Sequence, residues 1–284
     1  MEEEDQKGNE ITEKMIKESI KKNGGYDTPR LNEKLYLHYL SITDITNLDQ
    51  FTGLRSLWLN NNAISEIKGL SQLTNLNSLF LHNNLLEKIE GLENLHHLKN
   101  LILSYNYITQ IEGLEGLHEL NTLEIDHNKL KRPDSISGIS AAPSITVLNI
   151  SENGIEDPAF AEYLPTLPNL RVLRNSGNPV CRNMSDHRRQ LIAKNKELRY
   201  LDDTPVEDED RRVIHAWARG GLSAEQNEKV LIHDEKAAAV HEAVMEFNRL
   251  QKEGILERGE KLEDHPELLD DDGNFTSNFM DIDD

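Results

Sequence analysis

The chain has 284 residues, 51 acidic against 31 basic, giving a formal net charge of −20 at pH 7, and it contains one cysteine, Cys181. This balance counts against bulk binding to nucleic acid or an anionic membrane, because phosphate affinity comes from counterion release by Lys and Arg. A lone cysteine excludes an internal disulfide, no run approaches the roughly eighteen apolar residues of a membrane span, and the start MEEEDQKGNE is acidic where a secretory signal would be basic and then apolar. The expected setting is soluble, reducing and cytoplasmic.

Residues 1–9 read as a disordered acidic start. Residues 10–31 are expected to form a helical N-terminal cap: Ile11, Met15, Ile16 and Ile20 fall near one face of a short helix that stops at Asn23-Gly24-Gly25. Such a lid would cover the edge of whatever strand follows, whose backbone groups are otherwise unpaired.

A 22-residue period then begins. LRSLWLNNNAISEIKGLSQLTN from Leu54, LNSLFLHNNLLEKIEGLENLHH from Leu76 and LKNLILSYNYITQIEGLEGLHE from Leu98 share the pattern LxxLxLxxNxI followed by IxGLxxL, the signature of leucine-rich repeats. A degenerate copy precedes them from Asn32. Longer copies start at Leu120 and Ile145, with insertions containing Pro133, Pro143 and Pro158, and a truncated one starts at Leu170. Residues 32–178 thus divide into seven coils. No coil buries its own leucines without its neighbours, so the fold class is α/β, a horseshoe solenoid with a parallel β-sheet on its concave face. The asparagines at 62, 84, 106, 128, 153 and 178 turn the chain off each strand, and their amides suit a ladder that pairs buried backbone groups.

Residues 179–221 read as a C-terminal cap: a helical stretch SDHRRQLIAKN, then LRYLDDTPV, then a helix that opens on acidic residues 207–210 and closes on Arg219, as the helix dipole favours. Arg182, Arg188, Arg189, Lys194, Lys196 and Arg199 cluster in it and read as a solvated helix face. Residues 222–262 read as a helical extension. Ser223 and Gln226 match a capping box, and Ala237, Val240, Val244, Phe247 and Leu250 form a stripe that either packs back on the cap or pairs with a partner helix. Residues 263–284 read as a disordered acidic tail.

Catalytic signatures are missing from this sequence. It has no GxxxxGK[ST], GxGxxG after a strand, HExxH or GxSxG. Asp270 to Gly273 fail the calcium-loop spacing because Leu268 stands where a ligand is needed. His96-His97 has no third ligand in the frame. The expectation is a protein without enzymatic activity, metal or cofactor.

Binding is favoured instead by the strand position between the two inward leucines, which alternates onto the concave face. Coil by coil it holds Tyr36, Trp58, Phe80 and Ile102, then Glu124, Asn149 and Arg174. With strands about 4.8 Å apart, the first four form an apolar stripe roughly 14 Å long. His38, Asn60, His82, Ser104 and Asp126 flank it, with Tyr39 and Tyr105 one place further. Aromatic residues favour strands and stack on neighbours, but an aligned apolar row facing away from the core also marks an interaction site. The expected partner-binding set is Tyr36, His38, Trp58, Asn60, Phe80, His82, Ile102, Tyr105, Glu124, Asp126 and Arg174, with Trp58 and Phe80 as anchors and Glu124 and Arg174 setting the polar end.

Three segments carry a family resemblance: KKNGGYDTPRLNEKLYLHY at 21–39, TGLRSLWLNNN at 52–62 and LRYLDDTPVEDEDRRVIHAWARGG at 198–221. Together they resemble the dynein axonemal assembly factor 1 family over roughly residues 10–250. The resemblance implies a non-enzymatic scaffold or co-chaperone for cytoplasmic preassembly of axonemal dynein arms in a ciliated or flagellated cell, with dynein heavy or intermediate chains or co-chaperones as partners. It offers no catalytic residue to transfer. The repeat class also resembles phosphatase-regulator-like repeats, which implies the alternative of a regulatory subunit of a serine/threonine phosphatase using the same concave row. A third alternative is a splicing-type protein bridging an RNA-binding partner.

Overall fold

The computed structural model describes residues 9–261 and 264–268, in two compact units divided between Arg211 and Arg212. The first unit is built on a nine-stranded sheet in strict sequence order, β1 Lys34–Tyr36, β2 Ser56–Trp58, β3 Ser78–Phe80, β4 Asn100–Ile102, β5 Thr122–Glu124, β6 Val147–Asn149, β7 Val172–Arg174, β8 Tyr200–Leu201 and β9 Thr204–Pro205. β1 to β8 are parallel and β9 is antiparallel to β8.

Each strand from β2 to β7 buries its central leucine between two half-buried neighbours. Leu57, Leu79, Leu101, Leu123, Leu148 and Leu173 are fully buried in one ladder, and Leu59, Leu81, Leu103, Ile125 and Ile150 in the next. Burying one such side chain is worth roughly 1.5–3 kcal/mol, but only because the adjacent coils supply the cover. The asparagine ladder is present. Asn84 Nδ2 donates to its own coil at Leu81 O and to the previous coil at Leu59 O, both at 3.0 Å, while its Oδ1 accepts from Ile64 N at 3.0 Å. Asn62, Asn106, Asn128, Asn153 and Asn178 repeat the arrangement.

The longer coils spend their extra residues on 3-10 turns at Pro133–Ala141 and Pro158–Thr166, which bury Ile136, Ile139, Phe160 and Leu164. A proline opens each turn, where its missing N–H costs nothing.

At the first end, α1 Glu13–Lys22 is capped by Thr12, whose Oγ1 accepts from Met15 N at 3.2 Å, and it buries Ile16 and Ile20. It covers β1 through hydrogen bonds as well as apolar contact: Ser19 Oγ accepts the Tyr36 N–H at 3.3 Å. Asn9, expected within the disordered start, is instead bonded, its Nδ2 donating to Leu40 O at 2.9 Å. The rest of that start, residues 1–8, lies outside the described residues, as does the expected acidic tail apart from residues 264–268.

The other end is closed by α2 Val180–Asn183, α3 His187–Lys194 and the β8–β9 hairpin, whose two turn residues Asp202 and Asp203 both have positive φ (50° and 62°). This is the turn geometry that matches the twist of paired strands. Asp202 Oδ1 accepts Asn175 N at 2.6 Å and Ser176 N at 2.8 Å, so Asn175, an unusual residue for a strand slot, sits fully buried. Arg188, expected on a solvated face, instead donates to Pro205 O at 2.6 Å and Leu201 O at 3.4 Å. Lys194 pairs with Glu162 at 2.8 Å.

α4 Asp208–Glu257 begins in the first unit and runs through the second. The helix expected to complete the C-terminal cap therefore divides between the units. It leaves helical conformation at Gly220 and Gly221, with φ +67° at the latter. Within the second unit, Arg212 reaches Glu228 at 2.9 Å and Glu235 at 2.5 Å beyond that break, so the two arms fold back on each other. Helix resumes directly after Gly221, which places Ser223 inside the first turn rather than at a capping box. The expected stripe is largely exposed: Val240 is 58%, Phe247 43% and Leu250 54% accessible.

Candidate partner-docking face

The register of the sheet places Tyr36 beside Trp58, Trp58 beside Phe80, Phe80 beside Ile102, Ile102 beside Glu124, Glu124 beside Asn149 and Asn149 beside Arg174. All seven are half-buried and stand on the face opposite the central leucines. The three rings form one stack, Tyr36 to Trp58 at 4.3 Å between centroids with planes 18° apart, and Trp58 to Phe80 at 4.9 Å with planes 7° apart. A parallel, in-register ladder holds equivalent side chains one strand spacing apart, which is the separation at which aromatic rings stack.

The flanking row is less uniform. His38 meets Tyr36 edge-on at 6.3 Å. Asn60 is only 9% accessible, and its Oδ1 is buried without a hydrogen-bond partner among the described residues, while its Nδ2 donates to Asn61 Oδ1 at 2.8 Å. His82 Nδ1 is likewise buried and unbonded among the described residues, and burial pushes its pKa down against the opposing Asp126 charge. Two adjacent coils thus each hold an unpaired polar atom beside the ring stack, a costly arrangement unless a donor or acceptor arrives from outside.

The acidic end separates two carboxylates with different states. Asp126 is engaged: its Oδ1 accepts from Ser104 Oγ at 2.5 Å and Asn149 Nδ2 at 3.0 Å, and its Oδ2 pairs with His127 Nδ1 at 2.9 Å. The Glu124 carboxylate accepts no hydrogen bond from any described residue, although its backbone carbonyl takes the Leu103 N–H at 2.7 Å. Burial first, and Asp126 second, push its pKa up, with Arg174 opposing them. Arg174 is itself tied to Asp203, Nε to Oδ1 at 2.8 Å, a pairing that raises the guanidinium pKa.

Tyr105 lies 4.0 Å from the His127 ring, with planes 16° apart, and is 50% exposed. Both residues have positive φ, 56° and 53°, in a slot where other coils place Asn61 and Asn83. Asparagine tolerates this left-handed conformation far better than tyrosine. His127 and Asp203 join this face in addition to the residues expected there, Asp203 from the cap segment LRYLDDTPV. His127 stands one 22-residue repeat beyond Tyr105, so the period itself marks it, whereas Asp203 follows the last coil and no repeat position points to it.

His96 and His97 do not form a paired site: His96 Nδ1 lies 3.1 Å from Gly116 O, and His97 pairs with Glu119 at 2.9 Å. No helix among the described residues is long and apolar enough to cross a membrane.

Comparison with known proteins agrees with this architecture. The family model described as leucine-rich repeats (2 copies) matches residues 52–94. Dynein axonemal assembly factor 1 of Rattus norvegicus is 57% identical over 225 residues, covering 79% of this chain and 36% of the relative. The Homo sapiens protein of that name is 58% identical over 219 residues, covering 77% and 30%. The homolog in Anopheles gambiae is 49% identical over 261 residues, covering 91% and 28%. The chain therefore spans about a third of the length of the relatives it matches. Among solved structures, an internalin C2 from Listeria monocytogenes superposes with a TM-score of 0.54 at 21% identity, covering 68% of this chain and 88% of that one, a likeness of fold alone.

Proposed function

Because the chain belongs to the dynein axonemal assembly factor 1 family over the region shared with these relatives, we propose that it is a non-enzymatic interaction scaffold that promotes preassembly of axonemal dynein arms in the cytoplasm. The concave face receives the client protein, a dynein heavy or intermediate chain or a co-chaperone bound to one. The observation that carries this reading is the Tyr36–Trp58–Phe80 stack, three half-buried rings presented together on the sheet face that the core does not use. Tyrosine and tryptophan are favoured interface anchors because they supply large contact area at low entropic cost.

The test is rescue in a flagellate lacking its own copy. The double variant Trp58→Ala/Phe80→Ala keeps every leucine and asparagine of the ladders, so its melting transition stays cooperative, and it is expected to leave axonemes short of dynein arms where the unchanged chain restores them. Full restoration of arms by the double variant would overturn the docking reading.

A further inference from the structure

Resting on that docking reading, we infer that the concave face selects a segment with a particular chemistry: an aromatic or aliphatic anchor that seats on the Trp58–Phe80 rings, and a lysine or arginine about two strand spacings away that seats on Glu124.

Three features of the face lead there, each at a different place along the row. The rings of Trp58 and Phe80, stacked with planes 7° apart, offer a flat apolar platform. Ile102 continues it by one strand. The row then changes character at once: the next residue in register is Glu124. Phe80 and Glu124 are two strands apart, so anchor and cation are separated by about 10 Å.

Glu124 rather than Asp126 is the acceptor for that cation. The oxygens of Asp126 are held by Ser104, Asn149 and His127. The carboxylate oxygens of Glu124 accept nothing from the described residues, and the nearest arginine in its row, Arg174, is already committed to Asp203. A half-buried carboxylate without a donor is disfavoured in the free protein, and an incoming ammonium or guanidinium supplies the missing donors as charge-assisted hydrogen bonds. Beside the ring platform, on the same coils as Trp58 and Phe80, Asn60 Oδ1 and His82 Nδ1 are two buried atoms without a partner among the described residues. An asparagine oxygen only accepts, so it calls for an N–H, which the backbone of a bound segment carries. The chain's charge of −20 steers basic segments toward it in general, but Glu124 gives that preference a position.

The experiment pans a random dodecapeptide phage library on the full chain and measures the enriched clones on four variants. Glu124→Lys reverses the proposed cation seat. Glu90→Lys makes the same change in net charge at an exposed residue of the coil's return segment. Trp58→Ala and Phe80→Ala remove the platform. The expected clones carry an aromatic or aliphatic residue and a lysine or arginine, bind Glu124→Lys weaker by about tenfold or more, bind Glu90→Lys nearly as well as the unchanged chain, and lose binding on both platform variants. Panning on Glu124→Lys is expected to keep the anchor and exchange the basic residue for Asp or Glu. Clones that bind Glu124→Lys undiminished, or that lose as much on Glu90→Lys, overturn the cation seat while leaving the docking reading intact. Clones indifferent to Trp58→Ala and Phe80→Ala overturn the docking reading itself, and a library that yields no enriched clone counts against both.

Discussion

Asn106 Oδ1 accepts the backbone N–H of Leu86, one coil earlier, at 3.0 Å. On its other side the same amide donates to Leu81 O at 3.0 Å and Leu103 O at 2.9 Å, so one side chain satisfies three buried backbone groups in two coils. Asn106→Ala leaves all three without a partner at a position that is 5% accessible, and the expected loss is about 3 kcal/mol or more, read as a lower urea midpoint. Asn106→Asp is expected to be worse at neutral pH, because a carboxylate turns acceptors toward two carbonyl oxygens. Its folded-state pKa is thereby raised, so stability returns as pH falls and the acid regains a proton to donate. An aspartate variant as stable as the parent would show that the donor role of the ladder is unimportant.

The glycine of the IxGL pattern answers to a different constraint. Gly91 has φ +69°, and a Cβ there would be driven into the Ile67 carbonyl oxygen of the preceding coil. Gly24 has the same φ of +69° with nothing within 4 Å of the added atom. Comparing Gly24→Ala with Gly91→Ala therefore separates the conformational cost, about 1–2 kcal/mol, from the cost of spreading two coils. The Gly91 variant is expected to lose clearly more than the Gly24 variant in thermal melts, and equal losses would assign the whole effect to φ.

The interior coils were legible because their constraints are periodic. A leucine that must be buried by its neighbours, and an asparagine that must pair a fixed set of backbone groups, recur every turn and announce themselves by spacing. The same frame placed Tyr36, Trp58, Phe80, Ile102 and Glu124 in one row, since register in a parallel ladder follows from the repeat. What the frame could not convey is which polar side chains are already engaged. Asp126 and Glu124 look alike in the sequence, but bonds to Ser104, Asn149 and His127 satisfy the first and leave the second open. The ends were less legible because they are built once. The β8–β9 hairpin depends on two left-handed aspartates and on Arg188 donating to Pro205, contacts that no period repeats.

At the C-terminal cap, Asn175 Nδ2 lies 3.1 Å from His187 Nε2, and an amide N–H can donate there only while that nitrogen is unprotonated. Burial pushes the His187 pKa below its ordinary 6.5, with the Asp202 charge opposing. A histidine whose pKa is depressed on folding binds its proton more readily in the unfolded chain, so stability is present above pH 6.5 and is lost as pH falls from there through the folded-state value. His187→Gln, with an amide oxygen to accept from Asn175, is expected to flatten this part of the stability–pH curve. An unchanged slope in denaturant melts across the window would remove His187 as its source.

Glu124 gives a case in which stability and binding are expected to move in opposite directions. Its pKa is raised above the ordinary 4.5 by burial and by Asp126, so the folded chain holds this proton more tightly than the unfolded one, and the charged form at neutral pH opposes folding. Glu124→Gln removes that charge at nearly constant volume. The variant is expected to melt at a higher temperature than the parent at neutral pH, and the gap should close as pH falls through the raised pKa and the parent becomes neutral too. Capture of a basic segment should change in the other direction, weakened in the variant at neutral pH and weakened in the parent as Glu124 protonates, at a higher pH than an ordinary carboxylate would give. Both arms use the same two proteins, one followed by melting temperature and the other by fluorescence anisotropy of a labelled library-derived peptide. A variant less stable than the parent at neutral pH would mean that Glu124 has a favourable partner within the fold, and the case for an open carboxylate on this face would fail.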